Sequence, residues 1–249
     1  MPARVPHQSK VEIIARAAQD DPLVMYYAVP KSISLNLGEA IGLAGAVTVA
    51  CAQHYEREPS WKDVFEAWYR DSYRKVVLRA SESEFRVLKE LAHVSVLCPD
   101  GKALFCFPPR RKSEREQALL ALRPFTDART RSTGAPAFDE EAVSYIIRPR
   151  VMRSMGKAMA QAGHAALMCV RYFADDYSGQ LCRWREKGCP GCVFACEDDG
   201  VWEYLKKKID CSYVTDAGLT QVEPGTETMI VVPPGALTSE ARFNLRAIS

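Results

Sequence analysis

The 249 residues of this chain run twice through one succession of elements. In the first pass, Asp21 to Val29 is strand-like, and a Gly/Ala-rich apolar helix covers about Leu37 to Tyr55. An aromatic segment with Trp61 and Trp68 leads to a strand over Lys75–Ala80. Phe85, Leu88 and Leu91 at helical spacing predict an amphipathic helix over about Glu82–Ala92. Val94–Leu97 and Ala103–Phe107 read as strands, the second ended by Pro108-Pro109, and a helix from about Glu114 to Leu122 closes the set.

The second pass keeps the order. Ala142–Ile147 is a strand, Met155–Phe173 a Gly/Ala-rich helix, and a segment with Trp184 leads to the strand Cys192–Cys196. A helix over Val201–Ile209 follows, then strands at Ser212–Val214 and Thr228–Val232, ended by Pro233-Pro234, and a short helix from about Ser239. Alternating strands and helices argue for helices layered on mixed sheets. The expectation is two tandem three-layer α/β domains, each a small mixed β-sheet with the order β-α-β-α-β-β-α. An N-terminal extension spans 1–20, the first domain 21–126, a polar Gly/Pro-containing linker 127–140 and the second domain 141–249. Each copy has a modest core, so the two gain by packing on each other as an intramolecular pseudo-dimer.

Composition narrows the classes. Hydrophobic residues at 47% and charged residues at 26% suit a folded globular chain. The net charge is +2, with +4 over residues 1–135 and −2 over 136–249, so attraction to nucleic acid must come from local patches. The N-terminus has no apolar secretion segment, and no apolar run is long enough to span a bilayer, so no membrane partner is expected. Nine cysteines without a secretion signal imply reduced thiols in the cytoplasm. Cys189-Pro190-Gly191-Cys192, with Cys196, is half of a zinc pattern, but no second pair follows. Cys192, Phe194 and Cys196 alternate like one face of a strand, and no metal is expected there.

Two constellations in the second half carry chemistry. Lys157, Gln161 and His164, at i, i+4 and i+7, put three polar groups on one face of an otherwise apolar helix. Lys157 falls in the first turn, where free N–H groups already favour an anion, and an ammonium strengthens that site. The connection from Asp216 to Thr228 concentrates short polar groups between two strands around a Pro224-Gly225 turn. Taken singly, these residues read as a solvated lysine, a satisfied histidine, an Asx turn and an ordinary strand threonine; it is their spacing together that points to a site.

Gly156-Lys157-Ala158-Met159-Ala160-Gln161-Ala162-Gly163-His164-Ala165 resembles the Gly-Lys-x-x-Ala-Gln-x-x-His-Ala signature of type 2 peptidyl-tRNA hydrolases. Asp216-Ala217-Gly218, Thr220-Gln221, Pro224-Gly225-Thr226 and Thr228 are similar to that family's second signature, in the right order and distance. The resemblance covers about Glu141 to the C-terminus. It implies hydrolysis of the ester joining a peptide to the 3′ ribose of tRNA, with peptidyl-tRNA as partner and no cofactor or metal. By the same resemblance Lys157, Asp216, Thr220 and Thr228 carry over as catalytic residues. Gly156, Gln161, His164, Gln221 and Arg153 carry over as substrate-binding or supporting ones. The chain departs from the family where extra lysines usually precede the Gly-Lys pair, since Arg153 is the one cation in Val151–Met155, and where Leu219 replaces a basic residue. Arg148, Arg150 and Arg153 compensate in part.

The first copy lacks the constellation. Aligning the helices puts Glu39 at the place of Lys157, Leu43 at that of Gln161 and Ala46 at that of His164, and Cys98–Lys102 has no threonine pair. This copy is expected to hydrolyse nothing. Its basic cluster Arg110, Arg111, Lys112 and Arg115, continued by Arg123, Arg129 and Arg131, reads first as a solvated helix start and second as an RNA contact. Two other classes compete for the whole chain: a catalytically weak or inactive RNA- or protein-binding relative of the same fold, and a small zinc protein built on Cys189–Cys196.

Overall fold

The computed structural model describes residues 10–13, 20–92, 94–97, 103–127, 138–152, 154–218 and 222–248. A short strand, β1 (Lys10–Ile13), precedes the first half. That half comprises β2 (Leu23–Pro30), α1 (Leu37–Tyr55), α2 (Pro59–Asp71), β3 (Arg74–Ala80), α3 (Glu82–Leu91), β4 (Val94–Leu97), β5 (Ala103–Arg111), α4 (Gln117–Leu120) and β6 (Arg123–Pro124). The second half comprises β7 (Val143–Ile147), α5 (Met155–Tyr172), α6 (Ser178–Glu186), β8 (Gly191–Ala195), α7 (Asp199–Lys208), β9 (Ser212–Thr215), β10 (Glu227–Val232), α8 (Ser239–Phe243) and β11 (Arg246–Ile248).

Two mixed sheets result, ordered β4-β5-β2-β3-β6 and β1-β9-β10-β7-β8-β11. In each, the central strand pairs parallel on one side (β2 with β3, β7 with β8) and antiparallel on the other (β2 with β5, β7 with β10). The expected α/β layering is observed, with three corrections to the element order. Each half holds a second helix, α2 or α6, where no element is expected for the segments with Trp61 and Trp68 and with Trp184, and each closes on a further strand, β6 or β11. Residues 10–13, expected as part of an extension, pair in parallel with β9 at the edge of the second sheet. The closing helix expected over Glu114–Leu122 shrinks to Gln117–Leu120.

Local chemistry accounts for the added helices. Pro59 stands at the start of α2, where its fixed φ and missing N–H cost nothing, and Trp61, Phe65 and Trp68 share one face. Trp68 is fully buried and donates its indole N–H to the Arg74 carbonyl at 3.0 Å; Trp184 of α6, equally buried, donates to the Pro190 carbonyl at 2.8 Å. Removal of either ring should cost about 3–5 kcal/mol. The strand β5 runs through Pro108-Pro109 instead of ending there. Its partner β4 reaches only Cys106, and the register against β2 shifts between Val24 and Tyr26, opposite Arg110 and Phe107. The prolines therefore sit at a bulge on a half-open edge, where a missing N–H is tolerated.

Three apolar clusters divide the layers. Leu88 of α3 and Leu119 of α4 cover the outer face of the first sheet, and Trp202, Leu205 and Ala241 of α7 and α8 cover that of the second. Between the sheets one continuous cluster joins both halves through α1 and α5. The two helices meet closely, and glycines make room. A Cβ on Gly163 of α5 would lie 2.2 Å from the Tyr27 hydroxyl, and a Cβ on Gly45 of α1 would lie 2.1 Å from the Tyr145 hydroxyl. Tyr27 hydrogen-bonds Thr48 Oγ1 at 2.6 Å, whereas the buried Tyr145 hydroxyl finds no partner among the described residues. Cys192, Phe194 and Cys196 share the outer cluster, while Cys189 belongs to the inner one. No helix among the described residues is long and apolar enough to cross a membrane.

Candidate active site

The site begins at the cap of α5. Ser154 has extended backbone and its Oγ accepts the Lys157 N–H at 3.3 Å. A second free N–H of the helix start, that of Met155, donates to the Asp127 carbonyl at 3.1 Å. Gly156 is buried beneath the end of the first half, where a Cβ would come within 2.2 Å of the Phe125 carbonyl oxygen. Glycine is required there by its own chain's close approach.

Lys157 is the third residue of α5, and its side chain, only 9% exposed, forms an ion pair with Asp216 Oδ2. Asp216 follows the last residue of β9. Its own N–H donates to the Thr226 carbonyl, and its carbonyl accepts the Gly225 N–H, both at 2.9 Å, so the ends of the connection are tied together. Asp216 Oδ1 accepts the Gly218 N–H at 2.8 Å, an Asx-type contact two residues on. Gly218 has φ +73°, and a Cβ there would strike the Pro224 ring at 2.4 Å.

Gln161, one turn along α5, donates from Nε2 to Asp216 Oδ2 at 2.8 Å. Its Oε1 faces Thr228 Oγ1 at 3.0 Å, and that hydroxyl also lies 3.2 Å from the Val214 carbonyl. A hydroxyl has one proton, so Thr228 donates to Gln161 or to Val214 at any moment. A register shift puts Thr228 in position. Glu227 opposes Thr215 and Met229 opposes Val214, leaving Thr228 as the extra residue of a bulge. In a regular strand, Thr228 would face α7 with Ile230 and Val232; the bulge turns it towards α5. Thr228 is completely buried and Asp216 and Gln161 nearly so. The result is a continuous chain, Lys157–Asp216–Gln161–Thr228, in which every contact is a hydrogen bond or ion pair. A cation at a helix start opposes the helix dipole, and the carboxylate offsets both.

His164 lies on the same helical face but outside this chain. Its Nδ1 is 2.9 Å from Lys75 Nζ of β3, and its ring meets Tyr73 edge-on at 4.7 Å. Burial first, and then the charges of Lys75 and Lys157, push its basicity well below the usual imidazole range. Arg153, Leu219, Thr220 and Gln221 lie outside the described residues. Arg148 and Arg150 both turn to Asp199 at the start of α7, Arg148 at 2.7 Å from its Oδ1 and 4.4 Å from the Trp202 ring centroid. Of the first-half cluster, Arg110 pairs with Glu116 at 2.6 Å, and Arg111 donates to the Asp21 carbonyl at 3.1 Å.

The corresponding position of the first half differs as expected. Glu39 is also the third residue of its helix, but its carboxylate turns back to accept the Asn36 N–H at 3.0 Å in a capping box. Sequence reasoning assigned no role to Ser154, whose cap pattern was legible, or to Lys75, whose place beside His164 depends on how the halves pack.

Comparison with known proteins places this constellation in a family context. The family model described as peptidyl-tRNA hydrolase PTH2 matches residues 142–240, which include every residue of the hydrogen-bonded chain. The peptidyl-tRNA hydrolase of Pyrobaculum aerophilum is 38% identical over 95 residues, covering 35% of this chain and 79% of that protein. That of Aeropyrum pernix is 34% identical over 100 residues, covering 36% and 79%. The human protein named peptidyl-tRNA hydrolase 2, mitochondrial, is 24% identical over 168 residues, covering 61% of this chain and 90% of that protein.

Proposed function

We propose, because the chain belongs to the peptidyl-tRNA hydrolase PTH2 family, that its C-terminal half hydrolyses the ester between a peptide and the 3′ ribose of tRNA. The observation that carries this reading is the buried Lys157–Asp216 pair, held by Gln161 and Thr228 inside the matched region. Water adds to the ester carbonyl, the bond from the carbonyl carbon to the 3′ oxygen breaks, and the proton from water goes to that oxygen. The products are a free peptide and tRNA with its 3′ hydroxyl restored. Asp216 orients the water, and Lys157 stabilises the charge growing on the carbonyl oxygen. Gln161 and Thr228 are positioning residues that keep the carboxylate aimed. Thr220 reaches water or ribose, and Gln221 and Arg153 contribute to RNA binding. No cofactor takes part in these steps.

The N-terminal half is inactive on this reading, since a carboxylate stands where the ammonium is needed. It forms an intramolecular pseudo-dimer with the active half, supported by the reciprocal seating of Tyr27 over Gly163 and Tyr145 over Gly45.

The test is release of peptide from N-blocked aminoacyl-tRNA by the full chain. Wild type should turn over, and Lys157→Ala and Asp216→Ala should each fall by at least about a hundredfold. Binding of the tRNA without release by the wild type would leave the non-catalytic RNA-binding relative in its place.

A further inference from the structure

We propose that Lys75, a residue of the N-terminal half, is a positioning residue of the C-terminal site: its ammonium fixes His164 as the imidazole tautomer protonated on Nε2. The Nζ–Nδ1 separation is 2.9 Å. An ammonium has three N–H groups and no lone pair, so it donates and the ring nitrogen accepts. A nitrogen that accepts holds no proton, and the single ring proton is left on Nε2.

Both partners are held in place by further contacts. Lys75 Nζ lies 3.8 Å from the centroid of the Tyr73 ring and 4.4 Å from that of Trp68, an aromatic seat for a cation. The Tyr73 hydroxyl donates to the His164 carbonyl at 3.4 Å. Gly163 leaves space for the lysine stem, since a Cβ there would be 3.0 Å from Lys75 Cδ. The charged groups acting on the imidazole are Lys75 from β3 and Lys157 from its own helix, and both oppose a positive charge on the ring.

The arrangement exists on one side of the molecule only. Lys75 follows the residue whose carbonyl receives the Trp68 indole; the residue in the same relation to Trp184 is Gly191. Counting from Glu39 as from Lys157, the residue in the place of His164 is Ala46. Cation and imidazole are thus both missing from the equivalent place beside Glu39, where Gly191 and Ala46 stand, and both present beside Lys157. A protonated His164 would add a second cation beside Lys157, and the Lys75 contact excludes that state. The consequence for rate rests on the hydrolase reading; the tautomer does not.

The test uses 15N-labelled full chain, whose four histidines give a small set of imidazole signals in long-range 1H–15N correlation spectra, with His164→Gln identifying the signal in question. From about pH 8 to about pH 6, wild-type His164 should keep an unprotonated Nδ1 and a protonated Nε2. Lys75→Met should abolish that fixed pattern and lower kcat/KM on the acid side, on the order of tenfold, with kcat affected more than KM. Lys75→Arg should restore both. A cationic or Nδ1-protonated His164 in the wild type overturns the proposal, as does an unchanged pattern in Lys75→Met. Should Lys75→Met fail to fold, the wild-type spectrum decides alone. A wild type with the expected spectrum but no hydrolysis sinks the hydrolase reading and leaves the Lys75–His164 relation standing.

Discussion

Lys157 and Asp216, 59 residues apart in sequence, form a nearly solvent-free ion pair where the first turn of α5 meets the end of β9. Asp216→Asn would leave the ammonium without its counter-charge and should destabilise the fold by about 3 kcal/mol. The double variant Lys157→Met/Asp216→Asn should recover more than half of that loss, because the stranded charge is gone. Urea unfolding of wild type, the two single variants and the double variant checks this; a double variant as unstable as the sum of the singles would contradict it.

Thr228 acts through Gln161. Thr228→Val keeps the shape and removes the donor, leaving the Gln161 Oε1 without that partner in a buried place. A loss of about 1.4 kcal/mol in transition-state stabilisation, or about tenfold in kcat/KM, is expected with KM little changed. Thr228→Ser should keep most of the activity. Equal impairment by serine and valine would show that the methyl, not the hydroxyl, matters.

The two tyrosines that seat the halves against each other should respond differently to loss of the hydroxyl. Tyr27→Phe breaks a 2.6 Å bond to Thr48 and should cost about 1 kcal/mol. Tyr145→Phe removes a buried hydroxyl with no partner among the described residues and should be neutral or stabilising. Gly163→Ala and Gly45→Ala should each cost about 1–3 kcal/mol by overpacking, and Tyr145→Phe should relieve the second. Thermal unfolding of the six proteins measures all of this.

His164 gives the stability a pH dependence of known sign. Its basicity is depressed in the folded chain, so the unfolded chain binds the proton more readily. Its contribution is complete above the ordinary histidine value of 6.5 and is lost progressively as the pH falls below it. Between about pH 6.5 and pH 5, wild type should lose more stability than His164→Gln. Parallel curves for the two proteins would mean that the ring binds its proton equally well in the folded and the unfolded chain.

Much of the fold could be read from residue pattern. The helices beginning at Leu37 and Met155 emerge where the Gly/Ala-rich apolar runs place them, because their inner faces must meet each other and both sheets. The helix α2 was legible too, since Pro59 followed by Trp61, Phe65 and Trp68 has helical spacing; the aromatic content obscured it. Strands β1, β6 and β11 carry no such signal, for each is two to four residues long and exists through its neighbour. The pairing of Lys157 with Asp216 follows from two spaced motifs. The approach of Lys75 to His164 does not, because it depends on the seating of one half against the other. Nor does periodicity disclose the bulge that turns Thr228 inward, because a regular strand would face it the other way.

The most direct test of the account is a double-mutant cycle on kcat/KM for peptide release from N-blocked aminoacyl-tRNA, using Lys157→Ala, Asp216→Ala and the pair. If the ammonium and the carboxylate work as one unit, the double variant is about as slow as the slower single one, far above the product of the two losses. Losses that multiply, or singles that retain wild-type rates, would show that the buried pair holds the fold together without carrying the reaction.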